Sequence, residues 1–187
     1  MDIDKDFLRN IAPITIQFKK ITLNIGNKLN MELCVKTLLN VADMGSLRDK
    51  YEGEAFKNNF FIRTSAEMAL EKILGIKVID WDLKKTDKKY KAEFIVNGMK
   101  LEIFASAYGH YPLITDLEAD YAIIILYREP RDVLVAGCMS YDKVKNGPLK
   151  NGNQGLKNGK ALGYFDDFYE LNPFRDAEEL IQAIKLK

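Results

Sequence analysis

The stretch Lys91–Ala105, KAEFIVNGMKLEIFA, decides the fold. It reads as two short strands joined at Asn97-Gly98, because a two-residue type I′ turn needs positive φ at both central positions and Asn-Gly supplies them at least cost. A two-residue turn fixes the register. Val96 faces Met99, Phe94 faces Leu101 and Glu93 faces Glu102. Side chains alternate between the two faces of a sheet. One face therefore carries Ala92, Phe94, Val96, Met99, Leu101, Ile103 and Ala105, all apolar. The other carries Lys91, Glu93 and Ile95 opposite Phe104, Glu102 and Lys100. Two carboxylates directly across a ladder repel. A metal ion, a shared proton or the neighbouring lysines must offset that repulsion.

Downstream of the hairpin, Asp120–Tyr127 holds the run YAIIILY, which reads as a strand covered on both faces. Asp132–Ser140 is a further strand. Upstream, Arg63 begins a helix in which Thr64 and Glu67 fit a capping box, Met68, Leu70, Ile73 and Leu74 form the apolar stripe, and Gly75 ends it. Ile76–Trp81 reads as a short strand and Asp82–Lys89 as a polar connection.

Nearer the N-terminus, residues 1–12 are a loose lead-in or a short helix, and Pro13–Ile25 suggests one or two strands interrupted near Lys19-Lys20. Asn30 is placed to cap a helix from Met31 to about Met44, stopped by Gly45. Residues 46–62 carry Phe56, Phe60 and Phe61 and read as a buried segment of undecided type. Tyr141–Lys160 is rich in glycine and holds Lys143, Lys145, Lys150, Lys157 and Lys160 against the single acid Asp142, which predicts a mobile basic loop. Asp176 is placed to cap a last helix through Leu180, Ile181 and Ile184.

At 187 residues the chain is expected to form one domain. Within it, 1–62 is a strand and helix extension packed on the core, 63–140 the core, 141–160 the basic loop, and 161–187 contains the C-terminal helix. The fold class is α/β (α+β), with a mixed central sheet containing a β-hairpin and flanked by helices. The 47% apolar and 29% charged composition is ordinary for a soluble globular protein, and a net charge of +1 says little about partners, so any nucleic-acid affinity has to come from a local patch. The two cysteines, Cys34 and Cys138, give neither a disulfide framework nor a zinc pattern, which fits a reducing, cytoplasmic compartment. No run approaches the roughly 18 apolar residues of a membrane span, and MDIDKDFLRN is acidic where a signal peptide would be basic and then apolar.

The order of helix with an early Glu, short strand, hairpin with opposed carboxylates and long buried strand resembles the PD-(D/E)XK nuclease superfamily, the restriction-endonuclease-like fold. The resemblance covers roughly Arg63–Ser140. It implies that Glu67, Glu93 and Glu102 gather Mg²⁺ or Mn²⁺, with Glu93 and Glu102 as direct ligands. It implies metal-assisted hydrolysis of DNA phosphodiesters. The family lysine position holds Phe104, so Lys91 or Lys100, both on the carboxylate face, is expected to stand in for it. The five lysines of the basic loop would contact phosphates. The resemblance also leaves a homodimer open. The alternative that Phe104 favours is a catalytically inactive module of this fold that binds nucleic acid or a protein partner. The lone His110 reads as a loop or packing residue.

Overall fold

Asn97 and Gly98 adopt φ of 51° and 76°, and the hairpin closes around them. In this computed structural model, which describes residues 4–42, 51–151 and 161–185, strand β2 is Phe94–Val96 and β3 is Met99–Ala107. Their register is the predicted one: Val96 opposes Met99, Ile95 opposes Lys100 and Phe94 opposes Leu101.

Three more strands complete the main sheet. These are β1 (Lys19–Thr22), β5 (Tyr121–Arg128) and β6 (Asp132–Ser140), in the order β1-β6-β5-β3-β2. Only β3 and β5 run parallel, so the sheet is mixed, as expected. A separate antiparallel pair joins β4 (Leu113–Thr115) to β7 (Ala161–Tyr164).

β5 explains why the sheet has two covered faces. Every residue from Tyr121 to Tyr127 is buried. Ile123 and Ile125 enter one core with Ala66, Leu70 and Leu180. Ile124 and Leu126 enter a second with Phe7, Phe104, Tyr141 and Phe168. The first core lies under α3 (Tyr51–Leu74) and α6 (Ala177–Lys185). Asp176 caps α6 through the Glu179 amide, 2.9 Å away, and Tyr121 Oη donates to Ile184 O at 2.6 Å, fixing the helix to the sheet. The second core is closed by α1 (Lys5–Asn10), by α5 (Tyr141–Asn146) and by the segment around Phe168.

Several helix boundaries differ from the sequence reading. Helix α2 spans Ile25–Leu39, not Met31–Met44. Its cap is Asn24, in a reciprocal pair with Asn27, and Asn40 ends it in the left-handed region. Met44 and Gly45 lie outside the described residues. α3 begins at Tyr51, so Arg63 is mid-helix and Thr64, fully buried, caps nothing. Of the undecided segment 46–62, residues 51–62 are the first half of that helix, and 46–50 lie outside the described residues. Residues 76–80 form no strand; Glu71 Oε1 instead accepts from the Val78 and Ile79 amides at 2.6 and 2.8 Å. The expected polar connection contains helix α4 (Trp81–Thr86), capped by Asp80. Residues 12–17 form a 3-10 helix, leaving β1 as the one strand of that region. The start of the expected basic loop is α5. No helix among the described residues is long and apolar enough to cross a membrane.

Candidate functional site

The hairpin ladder ends at Phe94–Leu101 because the chain before it is pulled toward α3. Glu67 Oε1 accepts from the Ala92 amide at 3.3 Å. Glu93 therefore falls outside β2, exposed to solvent, and the expected Glu93–Glu102 cross-strand pair lies outside the ladder. Lys100 is exposed across from Ile95, as its register requires, and forms no ion pair among the described residues.

Glu67 is 2% exposed and has two cations of its own. Lys84 Nζ, equally buried, lies 2.5 Å from Oε2, and Arg63 Nε lies 3.3 Å from Oε1. The first contact is an ion pair that lacks hydrogen-bond geometry, since Oε2 has no directed partner. α4 delivers Lys84 to this position. The Asp80 carboxylate takes the Asp82 and Leu83 amides at 2.9 and 3.0 Å and starts the helix. The Lys84 ammonium then sits 5.1 Å from the centre of the Tyr90 ring and 5.8 Å from that of Phe60. Burial pulls Lys84 below its ordinary range, and the Glu67 carboxylate opposes the shift. Burial acts on Arg63 in the same sense, opposed by Glu67 and then by Glu102.

Glu102 is the one predicted ligand that faces a cleft. Its Oε1 lies 3.6 Å from Lys91 Nζ. The structure thus joins Glu67, Arg63, Glu102 and Lys91 into one charged neighbourhood, and leaves Glu93 and Lys100 outside it. These groups do not fit a divalent ion. Both inner carboxylates are already matched by cations, and the third is exposed elsewhere. Among the described residues no group of three His, Cys, Asp or Glu side chains is placed to hold a metal.

The cleft measures about 480 Å³ and runs along β3 from Glu102 to Ala107, between Asn59, Ile62 and Arg63 of α3 and Tyr111 and Tyr164 beyond the sheet. Ser106 Oγ donates to His110 O at 2.7 Å, so His110 holds the turn after β3. Phe104, 4% exposed, stacks on Tyr141 with ring centres 6.0 Å apart and planes 5° from parallel. An aromatic of the second core thus stands where the family resemblance places a lysine.

Two of the expected phosphate-contacting lysines are occupied. Lys145 pairs with Asp116. Lys150 pairs with Asp6, lies 3.6 Å from Asp166 and sits 4.3 Å from the centre of the Tyr111 ring. Partial burial pulls Lys150 down, but Asp6 and Tyr111 outweigh it and hold the ammonium above its ordinary range. Lys143 is exposed on α5. Lys157 and Lys160 lie outside the described residues.

Arg63 and Lys84 were missed by the sequence reading. The signal for Lys84 was the Asp80 cap, which reveals α4 once Ile76–Trp81 is not taken as a strand. Arg63 was hidden by the false helix start.

Comparison of the chain with protein-family models, with curated proteins and with solved structures gives no match.

Proposed function

We propose that this chain is a restriction-endonuclease-like domain without that family's metal site, and that it works as a non-catalytic binding module. The helix bearing Glu67, the hairpin and the buried strand parallel to β3 support the fold reading. One observation carries the functional reading: each inner carboxylate is matched by cations of the same chain, Glu67 by Lys84 and Arg63 and Glu102 by Lys91. A cation already beside a carboxylate competes with a divalent ion, and a buried pair is costly to break. Phe104 removes the lysine that would activate water. What remains is a cleft along β3 that carries Arg63, Lys91 and Glu102, suited to holding a chain rather than cutting one.

The test is calorimetric titration of Mn²⁺ into the wild type and Glu102→Ala, with plasmid DNA and single-stranded RNA incubated in Mg²⁺ or Mn²⁺. The expected result is no binding that depends on Glu102 and no cleavage. Metal-dependent cleavage that a folded Glu102→Ala variant loses would overturn the proposal and restore the nuclease reading.

A further inference from the structure

The free edge of β3 has a specific polarity. Asp120 N donates to Lys100 O at 2.9 Å, and Lys100 N donates to Asp120 Oδ2 at 2.7 Å. Lys100 therefore directs its backbone groups toward the β5 side. Tyr108 N does the same, donating to Tyr127 O at 2.7 Å. β3 pairs with β5 without a register shift from Leu101 to Ala107, so even-numbered residues point to β5 and odd-numbered ones point away. Leu101 meets Phe94 on the outward side, and Ala107 O is taken by His110 N at 3.0 Å. Between them, Ile103 and Ala105 direct N–H and C=O groups into the cleft, and no backbone or side-chain partner among the described residues meets them. The Glu67–Ala92 contact is what keeps β2 from extending over them.

We propose that this edge receives an extended, acidic segment of a protein partner as an added strand, bonded through the backbone of Ile103 and Ala105. This rests on the non-catalytic reading of the same cleft. Alternating donors and acceptors are the complement of another peptide backbone. The cleft has room for a strand but is walled on both sides, by α3 and by Tyr111 and Tyr164, so a slender segment fits better than the sheet of a second copy. The charge favours an acid. Arg63 and Lys91 are 33% and 48% exposed at the walls, against Glu102 at 20%, while Glu67 is sequestered with Lys84. A carboxylate near Arg63 and Lys91 leaves the local charge balanced. Two wall cations are few for a nucleic-acid backbone, which needs several phosphate contacts.

The experiment has two parts, both on the full chain. Hydrogen exchange of the free protein is expected to be fast at Ile103 and Ala105 and slow at Phe104 and Ser106. Equal protection of all four would mean that the edge is occupied, and would overturn the proposal. A phage-displayed random decapeptide library is then selected against the wild type. Enriched peptides are expected to carry Asp or Glu, to slow exchange at Ile103 and Ala105, and to lose at least tenfold in affinity when alternate peptide nitrogens are methylated. Ala105→Pro removes one outward N–H and is expected to weaken binding similarly, with thermal unfolding as its folding control. The methylated peptides keep the test valid if that variant does not fold. No enrichment, or peptides indifferent to methylation, would overturn the proposal. So would a fluorescent single-stranded oligonucleotide that protects the same two amides when no peptide does. Any of these results leaves the non-catalytic reading standing, since only metal-dependent cleavage removes it.

Discussion

Lys84 Nζ and Glu67 Oε2 lie 2.5 Å apart, and each side chain is only 2% exposed. Removing one member leaves the other charged in a dry site, which costs about 3–5 kcal/mol in comparable pairs. Lys84→Met is expected at the lower end of that range, because Arg63 stays beside Glu67. The double variant Glu67→Leu, Lys84→Met should lose less than the sum of the two single variants, since Arg63 is partly exposed and can turn to water. Urea unfolding of the four proteins at neutral pH gives the cycle. Additive losses would show that the two side chains do not form the coupled pair described.

Phe104, which stands where the family resemblance places a lysine, belongs to the second core. Replacing it with lysine restores the residue type of the family pattern but places an ammonium among Tyr141 and its apolar neighbours. The loss of packing alone is about 3 kcal/mol or more for a buried phenylalanine, and an unpaired charge adds to it. Phe104→Lys should therefore unfold at much lower denaturant than the wild type and gain no Mg²⁺-dependent cleavage, whereas Phe104→Leu should stay close to the wild type. A stable Phe104→Lys protein that cuts DNA would show that the metal site is present after all.

The parts of the fold that were legible in the sequence are those where local chemistry and burial agree. Asn97-Gly98 fixed a register that no tertiary contact could shift without turning every side chain over. Tyr121–Tyr127 is apolar at every position because two cores cover it. Asp176 is a cap followed by a clean amphipathic helix. Thr64 misled because a capping pattern is only a local signal. Inside a long helix whose first half packs through Phe60 and Phe61, that signal is overridden by burial. The candidate site was legible as a set of charges but not as pairs. The Glu67 partner comes from α4, 17 positions away in sequence, and the Glu67–Ala92 contact that shortens β2 spans 25 positions. Such contacts leave no trace in spacing.

Gly137 lies on β6 at φ +152°, where an added Cβ would stand 2.6 Å from Asn172 O and 3.0 Å from Leu171 Cβ. The close approach lets Cys138 and Asn172 exchange two backbone hydrogen bonds of 2.9 Å each, which hold the segment leading to α6 against the sheet. Gly137→Ala must push the Leu171–Asn172 segment away from β6 or strain the backbone, either of which costs about 1–3 kcal/mol. The expected signature is a lower unfolding midpoint with faster exchange at the Cys138 and Asn172 amides. Unchanged exchange at those two positions would show that the sheet absorbs the methyl elsewhere.

Asp132 ties the edge strand β1 to β6. Its carboxylate lies 2.8 Å from Lys20 Nζ, 2.7 Å from Thr22 Oγ1 and 3.2 Å from Arg128 Nη2. The hydrogen bond from Lys20 is the main cause that lowers its pKa from the ordinary 3.8 to about 2; partial burial opposes it, and Thr22 and Arg128 add to the lowering. A carboxylate whose pKa is lower when folded binds fewer protons in the native state than in the unfolded one over that interval. Its stabilising contribution is therefore fully present above about pH 4 and is lost as the pH falls through about 2. The shift alone corresponds to about 2–3 kcal/mol, and solvent screening of the pair, whose Lys20 partner is half exposed, reduces the expected contribution to about 1–2 kcal/mol. Denaturant unfolding of the wild type and Asp132→Asn should differ by about that amount at pH 7 and converge near pH 2. Parallel stability curves across this range would mean that Asp132 titrates alike in both states and that the ion pair with Lys20 does not stabilise the edge strand.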